Sequence, residues 1–455
     1  MRISTGMMFD NGTTGILNNQ ATLFKLQNQL STGRRVLTPS DDPVASAQAL
    51  VTTQSQSVNK QYMENQGNAK AQLGLVEGNL DSLTLLLQDV RERSVQLGNA
   101  TLTDKERAFI ADELKSRFEE LVGLGNAQNG AGQFLFSGFQ GATKPFAVNP
   151  NAVPPFVAGA NAAVDYFGDQ GERLLQVEAS RQMGVTASGL DVFMRIRNGN
   201  GEFAVSTLSN NVLVPAGQTN AGTALADQGT VLDLAKWSAS PVQPQDFQIQ
   251  FRVDSTVFPP VTYYNLVDTA SGNSMFTNAA PTAGPPFVGD WKVFTPGQAI
   301  PFDGLAAAFG TDLGAQVLVT GSPADGDRFA VQSSDNQSIF DTFQNLVTIA
   351  AQGVPVSPGG NTEFMNDLGG QITALDRALE NVLRVRATVG SRLAELDALE
   401  AAGSDRDLQY STRVSNLQDL DYAAAISDLS RRQMQLEAAQ ASFVRITGLS
   451  LFSQI

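Results

Sequence analysis

The sequence predicts an α + β multidomain chain: an antiparallel α-helical coiled-coil rod formed by both chain ends, with a β-rich domain inserted in the middle. Three observations predict it. Ala69, Leu73, Val76, Leu80, Leu83, Leu87, Val90, Ser94 and Leu97 recur at alternating spacings of four and three, which is an a/d heptad seam along one helix. A near-copy follows far along the chain at Leu368, Ile372, Leu375, Leu379, Val382, Arg386, Val389, Leu393 and Leu396. A helix with one apolar stripe needs a partner, so the economical reading pairs the two. Between them, from about 145 to 335, proline and glycine punctuate short alternating runs, the pattern of strands.

Taken in order, residues 1–40 are poor in charge, with Ile16, Leu23 and Leu30 keeping a seven-residue beat through Asn, Gln, Ser and Thr. A helix this polar along its seam is marginal alone, so it is expected to be disordered in the monomer and ordered by packing. Thr38-Pro-Ser-Asp-Asp-Pro43 then punctuates the chain. Pro43 suits a first helical position with Asp42 as N-cap, and Asp41 and Asp42 favour the positive end of the helix dipole. They also have Arg34 and Arg35 as nearby partners. The helix runs to about Leu97, its first half keeping a weaker seam at Val44, Val51, Val58 and Tyr62.

Thr103 and Glu106 make a capping box for a helix over about 104–124, with Phe109, Ile110, Phe118 and Leu121 as its buried face. Gln133–Phe136 reads as a short strand. Strand runs follow at 162–167, 172–178, 246–253, 261–267, 315–320 and 328–333, with Asp169-Gln-Gly171 as a hairpin turn and a break near 198–225. Helical signals resume at Ser338, a long helix starts near 362, and a terminal helix follows Asp419. Its seam is Ala425, Leu429, Arg432, Leu436, Ala439, Phe443 and Ile446. The layout divides into a terminal helical assembly domain (1–40 with 420–455), a helical rod domain (41–144 with 336–419) and a β-rich outer domain (145–335).

The chain has 30 basic and 45 acidic residues, a net charge of −15. Phosphate backbones are held by clustered Lys and Arg, so no nucleic acid is expected as a partner. With neither Cys nor His, there is no Ser-His-Asp triad, HExxH zinc site, thiol nucleophile or disulfide. No glycine-rich loop has the spacing of a dinucleotide site or P-loop, so no cofactor follows. Asp41 and Asp42 could be pictured as paired catalytic carboxylates, but adjacent residues beside a proline read as a cap, and no enzyme is expected. The N-terminal stretch lacks the basic region and apolar core of a secretory signal, and no window approaches the ~20 apolar residues that span a membrane. No membrane insertion is expected.

Several motifs carry a resemblance to a family. Leu30-Ser-Thr-Gly-Arg-Arg-Val36 and Pro39-Ser-Asp-Asp-Pro-Val-Ala45, with Leu417-Gln-Asp-Leu-Asp-Tyr422 and Val385-Arg-Ala-Thr-Val-Gly-Ser-Arg-Leu393, resemble segments of the flagellin family of bacterial flagellar axial proteins. The opening Met1-Arg-Ile-Ser-Thr5 and Met7-Met8 and the close Ser450-Leu-Phe452 resemble its hook–filament junction members. So do Gly132-Gln-Phe-Leu-Phe-Ser-Gly138, Tyr166-Phe-Gly-Asp-Gln-Gly-Glu-Arg173, Gly321–Phe329 and Ser338-Ile-Phe340. The resemblance covers about 1–195 and 315–455, and it implies that Arg34, Arg35, Asp41 and Asp42 lie at a junction between terminal and rod domains.

It implies a structural adaptor exported unfolded through the flagellar type III channel. The adaptor would assemble as a homo-oligomeric ring between the hook-side junction protein (hook-associated protein 1) and the flagellin filament. A cytoplasmic export chaperone would cover the C-terminal helix, with Leu429, Leu436 and Phe443 as its contact. Two alternatives stay open, a flagellin-type filament subunit and an adhesin or binding module carried by the β insertion. An exposed cluster of Trp237, Trp291, Tyr263 and Tyr264 in a groove would favour the binding module.

Overall fold

The computed structural model describes residues 5–153, 162–207, 220–241, 245–287, 289–356 and 358–452. Helices occupy both ends and strands the middle. The first helices are α1 (Thr5–Thr32), α2 (Pro43–Leu97) and α3 (Asp104–Gly125). Short strands follow: β1 (Phe146–Val148), β2 (Val164–Tyr166), β3 (Leu174–Glu178), β4 (Arg181–Gly184), β5 (Ile196–Arg197), β6 (Phe203–Thr207), β7 (Leu225–Ala226) and β8 (Thr230–Val231). After the one-turn α4 (Leu234–Ser238) come β9 (Phe247–Asp254), β10 (Val261–Asp268), β11 (Lys292–Val293), β12 (Ala299–Asp303), β13 (Asp312–Thr320), β14 (Arg328–Ser333) and β15 (Asn336–Gln337). The chain closes with α5 (Ile339–Gln352), α6 (Gly360–Gln418) and α7 (Tyr422–Phe452). It forms two compact units, Met1–Asn68 with Gln176–Gln182 and Glu395–Ile455, and Ala69–Leu175 with Met183–Ala394.

The helix ends follow from local chemistry. α2 starts at Pro43 because Asp42 accepts from the Ala45 N–H through Oδ1 (3.0 Å), the cap predicted for it. It stops at Leu97, where the buried Arg107 of α3 donates to the Leu97 carbonyl and, at 3.3 Å, to that of Asn99. The Arg107 guanidinium lies 4.8 Å from the Phe364 ring centre. These bonds satisfy carbonyls that a helix terminus leaves open. α3 carries the full Thr103/Glu106 capping box, and the Ser338 hydroxyl accepts from the Asp341 N–H (2.9 Å) to start α5.

In the second unit the sheet order is β11-β10-β9-β14-β6, with β9 and β10 in register from Asp254↔Val261 to Phe247↔Asp268. A second sheet, β12-β13-β7 with β8 also on β13, faces the same core. Phe247, Ile249 and Phe251 alternate inward along β9 and meet Phe302, Val317 and Val319, the two-residue period of a half-buried strand. A separate aromatic core joins α3, β1 and α5: Phe340 stands 5.0 Å from Phe146, 5.7 Å from Phe193 and 6.4 Å from Phe118.

Four local expectations are corrected. Phe109 is 61% exposed on α3, beside Lys105, while Ile110, Phe118 and Leu121 are buried. Residues 133–136 form no strand, only a bridge from Phe134 to Gln128. Asp169–Gly171 is no hairpin turn, since β2 pairs with β1 and β3 with β4. Instead, the Asp169 carboxylate accepts from the N–H groups of Phe139 (2.9 Å) and Gly171 (2.8 Å), tying two loops together. The stripe Val44, Val51 and Val58 is exposed, and the buried side of α2 in the first unit is Ala45, Ala49, Thr52, Asn59 and Gln66. A periodic apolar pattern identifies a helix, but neighbouring stripes lie only about 100° apart around it, so the pattern does not fix which one is covered.

Candidate assembly surface

In the second unit the α2 seam is dry. Leu73, Val76, Leu80, Leu83, Leu87 and Val90 are all buried. On α6, Leu368, Leu375, Val382 and Val389 are buried, and Ile372, Leu379 and Leu393 are half-buried. Full burial of such a side chain stabilises by about 1.5–3 kcal/mol. Polar contacts fix the register. The Arg386 guanidinium reaches Glu77 (2.7 Å) and Asp81 (2.9 Å) and donates to the Thr84 hydroxyl (3.2 Å), and Arg91 pairs with Asp376 (2.6 Å). As the α2 number rises the α6 number falls, so the helices run antiparallel. Glu77 and Asp81 lie four residues apart on one face of α2, and Arg386 bridges both.

In the first unit the helices meet through polar and small residues. Asn59 donates to the Gly403 carbonyl (2.8 Å), and Gln56 donates to the Ser411 hydroxyl (2.8 Å). A Cβ at Gly403 would stand 3.0 Å from Met63 Cγ, so the glycine keeps the approach close. Leu396 is fully buried on the α6 side. The tip of the β3–β4 hairpin is held here as well. Asn65 and Gln66 donate to the carbonyls of Gln176 and Val177 (both 2.8 Å), and Arg181 and Glu395 form two bonds (2.7 and 2.8 Å). The buried N–H groups of these amides find carbonyl acceptors, which offsets much of their cost, while Gln66 Oε1 is buried with no hydrogen-bond partner among the described residues.

The junction residues sit where α1 turns into α2 and α6 into α7. The Arg35 N–H donates to the Gln418 carbonyl (2.7 Å), Arg35 Nη2 donates to that of Leu417 (2.9 Å), and Arg34 makes a backbone bridge with Asp419. Leu420 N–H returns a bond to the Gly33 carbonyl (2.9 Å). Gly33 has φ +70°, and a Cβ there would meet the Tyr422 hydroxyl at 2.7 Å, so conformation and space both require glycine. Asp42 pairs with Arg35 (3.1 Å). Asp41 pairs with Lys25 (2.6 Å) and accepts from the N–H groups of Leu37 and Thr38. The Lys25 bond and then the backbone bonds hold the Asp41 carboxyl down at about 2. Asp42 is lowered too, by the Ala45 N–H first and Arg35 second.

Both shifts are downward, so what these groups contribute to stability is complete above the ordinary carboxylate value of 3.8 and fades as pH falls toward about 2. Protection factors of the amides at residues 35–45, taken relative to the intrinsic exchange rate at each pH, should fall most as pH is lowered from 5 to 2. Asp42→Asn should keep the cap and leave the melting temperature nearly unchanged. Asp42→Ala should lower it by about 2–4 °C. Equal melting temperatures for the two variants would remove the capping role.

α1 and α7 pair with each other. The Phe9 and Phe443 rings stand 5.1 Å apart, and a Cβ at Gly12 would lie 2.8 Å from Phe443. Ile16, Leu23, Leu30, Leu429, Leu436 and Phe443 are half-buried, while the side chain of Ile446 falls outside the described residues. On other faces Leu17, Phe24, Ile426, Met434 and Val444 are exposed.

Among the described residues, the middle of the chain lacks the exposed aromatic cluster that a binding module called for. Trp237, Trp291 and Tyr264 are buried, and Tyr263 is half-buried against Phe287, which removes the exposed aromatic cluster that the reading required. A cleft of about 710 Å³ is lined mostly by amides and hydroxyls, with Asp246, Asp335 and Asp367 as its carboxylates. Its polar groups largely bond one another: Thr207 donates to Asp367, and Gln337 donates to Thr342 and Gln371. Among the described residues no group of three or more His, Cys, Asp or Glu could hold a metal ion, and no helix is long and apolar enough to cross a membrane.

Helical ends around a β-rich middle, with an apolar seam and exposed terminal helix faces, are the architecture of a structural chain that packs with others. Residues 3–141 match the bacterial flagellin N-terminal helical region. Over 99% of its length the chain is similar to flagellar hook-associated protein 3 of Salmonella typhimurium, 26% identical over 456 residues and 99% of that protein. The same protein of Escherichia coli is 27% identical over 452 residues, again covering 99% of each. Among solved structures, the flagellar junction protein FlgL of Legionella pneumophila is 26% identical with a TM-score of 0.65, over 82% of this chain and 100% of that one. The resemblance read from motifs at the two ends therefore extends along the whole chain, through the stretch near 198–315 where no motif was found.

Proposed function

We propose that this chain is a non-enzymatic structural component of the bacterial flagellum, an adaptor ring at the junction of hook and filament. The single observation that carries the reading is the likeness to hook-associated protein 3 along 99% of both chains. The apolar seam of α2 and α6 supports a coiled-coil rod over 41–144 and 336–419, carrying an outer domain over 145–335. In this reading the terminal helices (1–40 and 420–455) are disordered in the free monomer and ordered by packing with neighbours. They have exposed apolar faces and few internal partners, so their order comes from burial between subunits. The chain is exported unfolded from the cytoplasm through the type III channel, with a chaperone on α7. It then contacts hook-associated protein 1 on one side and flagellin on the other.

Deleting the gene in the source bacterium tests this. The expected result is bare hooks with flagellin shed into the medium. Bare hooks with no flagellin outside would instead make the chain the filament subunit. Intact filaments would overturn the junction role altogether.

A further inference from the structure

We infer that the two packed sheets of the second unit are mounted on α6 at two polar points, a neck held by Arg377 and a releasable clasp made by Asn366 and Asp367. Once the clasp opens, the sheets tilt about the neck as one body. The chain enters the sheets at 196–203 and leaves them at 333–337, and the two crossings pair over two positions, Ile196↔Gln337 and Arg197↔Asn336. Asn198 ties them once more, its Oδ1 accepting from the Asp335 N–H (2.9 Å) and its carbonyl from the Ser334 hydroxyl (2.8 Å). Gly199 (φ +58°) and Gly201 (φ +96°) then carry the chain through left-handed conformations. Arg377 on α6 docks on this turn. Its Nε donates to the Gly199 carbonyl (3.3 Å) and its Nη2 to that of Asn200 (2.7 Å), while Nη1 pairs with Glu380 (2.8 Å).

The clasp lies about 16 Å nearer the start of α6, at the helical rise per residue. Asn366 accepts from the Ala226 N–H (3.0 Å) and donates to the Ala224 carbonyl (3.1 Å), and Asp367 accepts from the Thr207 hydroxyl (2.9 Å). Beside these two points the 710 Å³ cleft separates Ala204, Ser206 and Gln332 on the strands from Asn345, Thr348 and Gln371 on the helices. Among the described residues, the apolar core of the sheets contains no side chain from α5 or α6. A tilt therefore leaves that core whole, and the clasp bonds exchange for bonds to water at small net cost. Polar interfaces of this kind let two parts of one chain move relative to each other, with a few turn residues taking up the backbone change. The dry, ion-paired seam of α2 and α6 stays fixed meanwhile. The result is a pair of sheets of adjustable direction on rigid helices, and it holds whether or not the chain sits at a flagellar junction.

The absence of cysteine makes the test clean. Ser116→Cys on α3 and Ser255→Cys just past β9, both exposed, place two spin labels on the full-length chain for pulsed electron–electron double resonance, diluted into unlabelled chain. The parent should give one narrow distance distribution. Asn366→Ala with Asp367→Ala should broaden it about twofold or more, while amide protection in β9 and β10 stays at the parent level. Arg377→Gln should lower protection at 196–200 and 334–337. Arg377→Lys should not restore it, because an ammonium lacks the guanidinium fork that serves two carbonyls. Asp376→Ala, which removes the partner of Arg91, should change neither readout. A distribution already broad in the parent, or unchanged by the Asn366 and Asp367 substitutions, would overturn the clasp, and unchanged neck protection in Arg377→Gln would overturn the role of Arg377. Protection lost in β9 and β10 alongside the broadening would mean that these residues fold the sheets rather than mount them, which overturns the proposal as a whole.

Discussion

Phe340→Ala should destabilise the helical end of the second unit by about 3–5 kcal/mol. Phe340 is fully buried, and its ring touches three others that come from different segments, Phe118 on α3, Phe146 on β1 and Phe193 in the turn at 190–194. Truncation removes the transfer free energy of a phenyl ring and leaves a void bordered by rings that cannot collapse together without leaving their own partners. A chain of two units need not unfold in one step, so the readout should be local. Amide exchange in α3 and α5 should accelerate by two to three orders of magnitude, while the β9–β10 pair keeps its protection. Phe109→Ala is the control. Phe109 is on α3 but exposed, and its loss should cost within about 0.5 kcal/mol. Equal effects of the two variants would mean that the aromatic cluster does not hold α3 to α5.

The contrast between Phe340 and Phe109 also marks how far the sequence could be read. Boundaries written in local chemistry were legible: Pro43 after Asp42, Thr103 with Glu106, and Ser338 before Asp341 all begin helices where expected. The dry seam at Leu73–Val90 was legible because every position on it is apolar. The first half of α2 was not, because its seam is polar. Asn59 and Gln66 are buried only by virtue of the Gly403 and Val177 carbonyls, which lie hundreds of residues away or in a hairpin. Asp169 followed the same logic in part, its carboxylate accepting from the Phe139 N–H across a loop as well as from the Gly171 N–H in its own turn. Where an amide or carboxylate is satisfied by a distant backbone group, no local pattern announces it.

The junction shows the same division. The pairing of Arg35 with Asp42 was within reach of a sequence reading because the two lie close in the chain. The bonds from Arg35 to the Leu417 and Gln418 carbonyls were not. Those bonds join the start of α2 to the end of α6, so one arginine fixes both connections to the terminal helices. On α7, Leu429, Leu436 and Phe443 are half-buried, and the exposed Met434 and Val444 add a second apolar face that the heptad reading did not contain. Two apolar faces on one helix are more than a two-helix pair can cover, which is why further partners are expected for α7.

Replacing Leu429, Leu436 and Phe443 together by Ser should have the largest functional effect in the chain. These residues form the half-buried face of α7, and Phe443 closes against Phe9 and the flat surface of Gly12. Losing three partly buried apolar side chains removes roughly 3–5 kcal/mol of burial, so affinity for whatever covers this face should fall about 10²–10⁴-fold. Titration of the export chaperone proposed for α7 against the full-length variant should show that loss, and, on the proposed junction role, cells carrying only the variant should shed flagellin. Ile426→Ser with Met434→Ser and Val444→Ser, on the exposed side, separates the two faces of α7. If the exposed-side variant binds the chaperone normally but fails to hold filaments, α1 and the chaperone share one face, and neighbouring subunits use the other. If the Leu429, Leu436 and Phe443 variant binds chaperone and retains filaments as the parent does, that face carries neither contact, and the assembly role passes to the exposed side.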